Sequence, residues 1–162
     1  MKSALSLAAA AVALGGCTAI TADTTTHSTT SPTEMKIAFD ITDGNPQALI
    51  TKLTVVDLTR KQLLEKGITP KMVLAFRGDA SYYTQTNLSM VKEADRADAI
   101  KIAQKLRDLK AANGVEALEQ CNVPLASRKL KPEDLMQEVK LVPNGWVSLV
   151  GYQQKGYAYI VP

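Results

Sequence analysis

Apolar positions fall into short runs separated by turn residues, and the runs alternate between an extended and a helical period. The first, Met35-Lys36-Ile37-Ala38-Phe39-Asp40-Ile41, is dominated by apolar residues on both faces, as expected of a parallel strand covered on both sides. Thr42-Asp43-Gly44-Asn45-Pro46 interrupts it. Leu49, Leu53, Val56, Leu63 and Leu64 then recur at helical spacing up to Gly67, a natural C-terminal cap. Residues 70–76 predict a second strand, terminated by Arg77-Gly78-Asp79-Ala80. The segment 81–90 is polar and aromatic and matches neither period. A helix is predicted over about 93–112, with Ala99, Ile102, Ala103, Leu106 and Leu109 on one face. Residues 114–121 predict a third strand, Pro124 and Leu125 start a short helix, and 131–135 form a further helical turn with proline at its first position. Residues 138–142 predict a fourth strand. Asn144 caps a last helix in which Trp146, Leu149, Val150 and Gln153 follow the i, i+3, i+4, i+7 pattern. Gly156 ends it, and 157–161 form a fifth strand. Strands alternating with helices predict one parallel sheet in an α/β/α arrangement over residues 35–162, with no internal repeat.

Residues 1–34 share none of this patterning. Lys2 followed by the alanine-rich run 4–14 is a secretory-signal pattern, shorter than the ~20 residues a spanning helix needs. The run ends in Leu14-Gly15-Gly16-Cys17, which resembles the bacterial lipobox: an aliphatic residue, two small residues, then cysteine. That resemblance implies cleavage after residue 16 and lipidation of Cys17. Thr18 stands where aspartate would signal inner-membrane retention. The expected address is therefore the bacterial cell envelope, at the periplasmic face of the outer membrane, with membrane contact through the lipid anchor alone. Residues 17–34 are threonine- and serine-rich with almost nothing to bury, and are expected to act as a disordered tether.

Charge and motif content narrow the function classes. The net charge is +3, aromatic content is 5%, and no Lys/Arg cluster is interleaved with aromatics, so no nucleic-acid partner is expected. There is no G-x-x-x-x-G-K-[ST] loop, no G-x-G-x-x-G and no metal-ligand cluster, so neither cofactor nor metal is expected. A C-x-x-C pair is absent, which removes a thioredoxin-like mechanism. The one histidine, His27, lies in the tether and is a poor candidate for the base of a hydrolytic triad.

What remains is Cys121, at the end of the third strand. In open α/β sheets ligands bind at the carboxyl edge, and with Cys17 lipidated Cys121 has no partner in the chain. Asp43-Gly44-Asn45, Arg77-Gly78-Asp79, Cys121-Asn122 and Asn144-Gly145 all end strands, and parallel strands bring such ends to one edge. The candidate site is Cys121 as the reactive group, with Asp43, Arg77, Gly78, Asn122 and Asn144 forming a small polar pocket. Two bland readings compete. Asp, Asn and Gly are favoured in tight turns for backbone reasons, which weighs most for Asp43 and Asn144. A free cysteine is among the most buried residue types, and Cys121 is either a nucleophile or an inert packing residue. A helix starting at Pro124 would favour the thiolate through its dipole, with Arg77 adding positive charge. As a charged strand-end residue, Arg77 is not expected in the core. Trp146 is expected to pack against the sheet, Tyr157 and Tyr159 to fill the layer, and Tyr82 and Tyr83 to rim a pocket or an oligomer contact.

One set of segments carries a family likeness. It comprises Lys36-Ile37-Ala38-Phe39 with Asp43-Gly44, Phe76-Arg77-Gly78, Cys121-Asn122, and Pro132-Glu133-Asp134-Leu135. It continues with Val139-Lys140-Leu141-Val142-Pro143-Asn144-Gly145 and Gln153-Gln154-Lys155-Gly156-Tyr157-Ala158-Tyr159-Ile160. In order and spacing these resemble the DsrE/DsrF-like sulfur-relay family, particularly its small exported branch. The resemblance implies a three-layer α/β/α sandwich with a five-stranded parallel sheet, often a homo-oligomer, and Cys121 as the sulfur-accepting residue. The expected function is a periplasmic protein handling sulfur or a small thiol ligand through Cys121, a persulfide carrier with a sulfur donor and acceptor as partners. The alternative is a non-catalytic envelope lipoprotein that uses the fold as an oligomerising or small-ligand-binding module.

Overall fold

The near-continuous apolar run at the start of the body forms strand β1, Glu34–Ile41, in the computed structural model, which describes residues 33–162. The signal at 1–16, Cys17, His27 and nearly all of the 17–34 tract lie outside the described residues. Helix α1, Pro46–Glu65, starts where expected. Proline occupies its first turn and the Asn45 side chain accepts the Ala48 amide at 3.0 Å, filling one of the donors a helix start leaves open. Gly67, at φ +72°, turns the chain out of α1, and β2 runs Thr69–Phe76. Helix α2 (Arg96–Ala111), β3 (Val115–Cys121), the short α3 (Val123–Ser127), β4 (Val139–Val142), α4 (Gly145–Gln154) and the edge strand β5 (Ala158–Ile160) complete the order.

All strand pairs are parallel, in the order β4-β3-β2-β1-β5. The expected three-layer α/β/α sandwich with a five-stranded parallel sheet is what the chain adopts. From β1 to β4 the chain steps across the sheet in one direction. β5 lies beyond β1, so the last crossover runs back, and a connection of the same hand travelling the other way covers the opposite face. That connection is α4.

The two faces are unequal. Ile37, Phe39 and Ile41 of β1 and Met72, Leu74 and Phe76 of β2 meet Leu49, Leu53 and Val56 of α1 and Ala99, Ile102, Leu106 and Leu109 of α2 in one large core. With ~1.5–3 kcal/mol per fully buried large apolar side chain, this face carries most of the hydrophobic stabilisation. The opposite face holds Ala38 and Ala75 under Leu149 of α4, with Tyr152 and Tyr157 packed alongside.

Two expectations need correction. Trp146 does not pack against the sheet: it is 65% exposed, and Val147 and Val150 also face outward. The sheetward row of α4 is Gly145, Ser148, Leu149 and Tyr152, the same helical spacing displaced by one residue. Polar bonding chose the row. Buried Glu119 of β3 accepts hydrogen bonds from Ser148 Oγ and from the Tyr152 hydroxyl, the latter at 2.9 Å. Tyr159 does not fill a layer either. It stands exposed on the edge strand, and only its hydroxyl turns inward.

The segment that matched neither period, 81–90, takes in the end of one 3₁₀ turn, Gly78–Thr84, and the whole of another, Leu88–Met90, and Gln85 makes an antiparallel bridge with Leu135. Ser81, Thr84 and Gln85 are polar yet buried. Gln120 of β3 holds this segment: its Nε2 donates to Ser81 Oγ at 2.8 Å and its Oε1 accepts from Thr84 Oγ1 at 2.8 Å. The same amide donates to the Cys121 carbonyl at 2.7 Å and so pins the end of β3.

Candidate functional site

At the carboxyl edge β3 delivers Cys121 to the face covered by α4, two residues beyond Glu119. The side chain is buried. Its Sγ accepts the Gly145 N–H at 3.1 Å. The amide that reaches the sulfur therefore belongs to the first residue of α4, and not to the helix at Pro124 as the sequence suggests. The approach depends on glycine. A Cβ on Gly145 would lie 2.7 Å from Arg77 Cδ, 3.0 Å from Arg77 Cγ and 3.1 Å from Cys121 Cβ. Residue 145 thus has no room for a side chain between the thiol and the arginine. A backbone N–H at a helix start carries a partial positive charge, and here it is aimed at the sulfur.

Arg77, just past β2, also departs from expectation, because it is built into the fold. Its Nε donates to Asp40 Oδ1 at 2.8 Å and its Nη2 donates to Asp40 Oδ2, a two-pronged pair. Asp40 is 3% exposed. It also accepts the Tyr159 hydroxyl at 2.6 Å, so β1, β2 and β5 are tied at one point. The Asp40 carboxylate raises the Arg77 guanidinium above its ordinary range, and hydrogen bonding to Asp40 likewise raises the Tyr159 hydroxyl. The Arg77 guanidinium carbon sits 5.1 Å from the centre of the Trp146 ring, a cation–π arrangement that gives the exposed tryptophan a partner.

These groups surround a pocket of about 260 Å³ lined by Arg77, Gly78, Cys121, Val123, Pro124, Ser127, Arg128, Asn144 and Trp146. Of the residues expected at the site, Cys121, Arg77, Gly78 and Asn144 come together here. Asn144 also caps α4, its Oδ1 accepting the Trp146 amide at 2.9 Å. Asp43 lies outside the lining. It accepts the Asn45 amide at 2.9 Å and pairs with Lys52 at 3.0 Å, and those two contacts hold its carboxyl below the usual range. Asn122 is exposed and outside the lining, and its backbone N–H bonds the Val142 carbonyl at 2.9 Å. Tyr82 and Tyr83 line a different depression with Gly44, Asp79 and Asp95, and the Tyr83 hydroxyl donates to the Gly44 carbonyl at 2.9 Å.

Several site residues escaped the sequence reading. Asp40 was signalled by a lone carboxylate in an apolar strand, and Glu119 by its position two before Cys121 on the same strand face. Arg128, which pairs with Asp79 through Nε at 2.8 Å and Nη2 at 2.7 Å, carries no signal beyond its charge. Among the described residues no group of three or more His, Cys, Asp or Glu is placed to hold a metal ion.

Comparison with known proteins bears on this arrangement. A protein of unknown function from Methanobacterium thermoautotrophicum has a similar structure, with a TM-score of 0.56 at 16% identity, covering 79% of this chain and 99% of that one. The likeness is one of fold. An uncharacterised protein of Aquifex aeolicus is 25% identical over 126 residues. The match spans 78% of this chain and 55% of that protein, so this chain accounts for little more than half of its relative's length. The model of the DsrE/DsrF-like family matches residues 22–162, which include every strand of the sheet and the whole Cys121 pocket. With the parallel sheet and that match together, the chain belongs to the DsrE/DsrF-like family.

Proposed function

We propose that this protein carries sulfur as a persulfide on Cys121, taking it from a donor and passing it to an acceptor. The observation that carries the reading is the Gly145 N–H, 3.1 Å from Cys121 Sγ, on a cysteine that lines a pocket. An inert packing cysteine has no use for a backbone donor from a separate helix or for an opening beside it. Family membership supports sulfur-relay chemistry in general. The decisive experiment exposes the reduced protein to inorganic polysulfide and reads its intact mass. One added sulfur, removed by reductant and absent in Cys121→Ser, is expected. An unchanged mass, together with alkylation of Cys121 only after denaturation, would return Cys121 to the role of packing residue.

The exposed apolar surface favours a second element of this reading, assembly of like copies. Trp146, Val147 and Val150 on α4 lie outward, as do Tyr159, Ile160 and Val161 at the end of the chain. Patches of this kind mark interaction surfaces, and another copy of the chain is the proposed occupant. Light scattering on the purified body tests it, and a concentration-independent monomer would refute it. The proposed address, a lipid anchor on Cys17 at the periplasmic face of the outer membrane, rests on Leu14-Gly15-Gly16-Cys17. Cys17→Ser should release a soluble form or leave an uncleaved precursor. Unaltered fractionation with no lipid mass on the parent protein would exclude the anchor.

A further inference from the structure

The persulfide reading leaves open what delivers the sulfur; the following inference rests on that reading and concerns the donor. The Cys121 pocket is lined by two guanidinium groups, Arg77 and Arg128, and by no carboxylate. The acids that pair with them, Asp40 and Asp79, are not among the lining residues. Arg77 spends Nε and Nη2 on Asp40, and its Nη1 has no protein partner among the described residues. Arg128 gives Nε and Nη2 to Asp79, while its Nη1 meets only Ser127 Oγ among the described residues, in a long contact of 3.3 Å. Guanidinium donors match oxyanions geometrically, because planar N–H groups meet oxygen lone pairs. A polysulfide chain offers soft sulfur and no such oxygen. Size also decides. About 260 Å³ lies below the ~300–1,000 Å³ of pockets that enclose drug-sized ligands, so a donor of a few heavy atoms fits better than a peptide thiol.

We propose that the pocket takes a small anionic donor of the thiosulfate class, a sulfane sulfur bonded to a sulfonate head, with Arg77 and Arg128 as the subsite for the head. The Cys121 thiolate attacks the sulfane sulfur. A bond forms between Sγ and that sulfur as the bond from the sulfane sulfur to the sulfonate sulfur breaks. The electron pair leaves with sulfite. Thiolate and thiosulfate dianion become persulfide anion and sulfite dianion, so charge and electrons balance with no added oxidant or reductant. The arginines offset the repulsion between two anions that would otherwise slow the encounter.

The test uses the reduced full chain with thiosulfate, reading sulfur on Cys121 by intact mass and sulfite in solution, alongside neutral methyl methanethiosulfonate as a probe of thiol reactivity. The expected result is one sulfite per added sulfur. Arg128→Gln should slow loading from thiosulfate about three- to tenfold, the scale of one screened charge near a surface. The same variant should leave the neutral probe's rate unchanged, and Arg128→Lys should recover part of the loss. Equal slowing of both reagents would overturn the subsite, since it would mean a general loss of thiol reactivity. Loading from polysulfide but not from thiosulfate would overturn the donor class and leave the persulfide reading standing. Failure of Cys121 to take sulfur from either would overturn both.

Discussion

The two faces of the sheet are built on different principles. Under α1 and α2 the strands present large apolar side chains, and the helices answer in kind. Under α4 they present Ala38, Asp40, Ala75, Glu119 and Cys121, and the helix answers with a glycine, a serine, one leucine and a tyrosine. The first face is held by area removed from water. The second is held by a few directed bonds around a thin apolar contact. A site needs polar groups at defined positions, and a face filled with leucine leaves no place for them. The division therefore separates stability from chemistry within a single sheet.

The largest effect should come from the apolar face. Phe76→Ala removes a fully buried ring and should cost about 3–5 kcal/mol in urea unfolding. Leu149→Ala, under α4, should cost less, about 2 kcal/mol, since its surroundings are small and can close in. Equal losses would break the contrast. Glu119→Ala comes next. It removes the acceptor shared by Ser148 and Tyr152 and should cost about 1–3 kcal/mol. Its sharper signature is local: Cys121 should react faster with a neutral alkylating reagent as α4 loosens. No change in that rate would show that Leu149 alone seats the helix. Gly145→Ala should cost about 1 kcal/mol, because Arg77 or α4 must shift to admit the methyl group. Cys121 alkylation should change with it, while the Phe76 side of the sheet keeps its hydrogen-exchange protection.

The smallest effect is one of pH. Burial and the Glu119 bond raise the Tyr152 hydroxyl above its usual range, and burial with the Glu116 bond raises Tyr157 to about 12. A group with a raised folded-state value binds its proton more tightly folded than unfolded. Its contribution is fully present below the ordinary tyrosine range near 10 and is lost as the pH climbs through the folded value. Unfolding midpoints should fall between about pH 10 and 12. Tyr157→Phe should flatten part of that fall. A parent protein with no loss over that interval would remove these hydroxyls from the account of the polar face.

Arg77 shows where reading the chain in order stops short. Its place at a strand end was legible, because a run of Met72-Val73-Leu74-Ala75-Phe76 followed by Arg-Gly-Asp has one reasonable interpretation. Its pairing with buried Asp40, 37 residues earlier, was not, since nothing local distinguishes a paired charge from a solvated one. Arg77→Ala would strand a buried carboxylate with only the Tyr159 hydroxyl, so loss of stability should accompany any loss of reaction. Arg128 is the better substitution for testing charge, because its partner Asp79 is well exposed.

The amino-acid sequence by itself determined the strands, their alternation with helices and the position of Cys121 at the end of β3. These follow from local periodicity, from glycine and proline punctuation, and from the burial that a parallel sheet imposes on its strands. The tertiary structure alone decided which helix face meets the sheet, which helix start reaches the thiol and which charges stand beside it. The row Trp146, Leu149, Val150 is the more apolar, yet α4 seats Gly145, Ser148, Leu149 and Tyr152, because Glu119 needs hydrogen-bond donors and Cys121 and Arg77 leave no room for a side chain at residue 145. Those constraints act between residues far apart in the chain. Hydrophobic periodicity records how much area an element can bury, and it carries no information on which distant polar atoms must be satisfied where that area is buried.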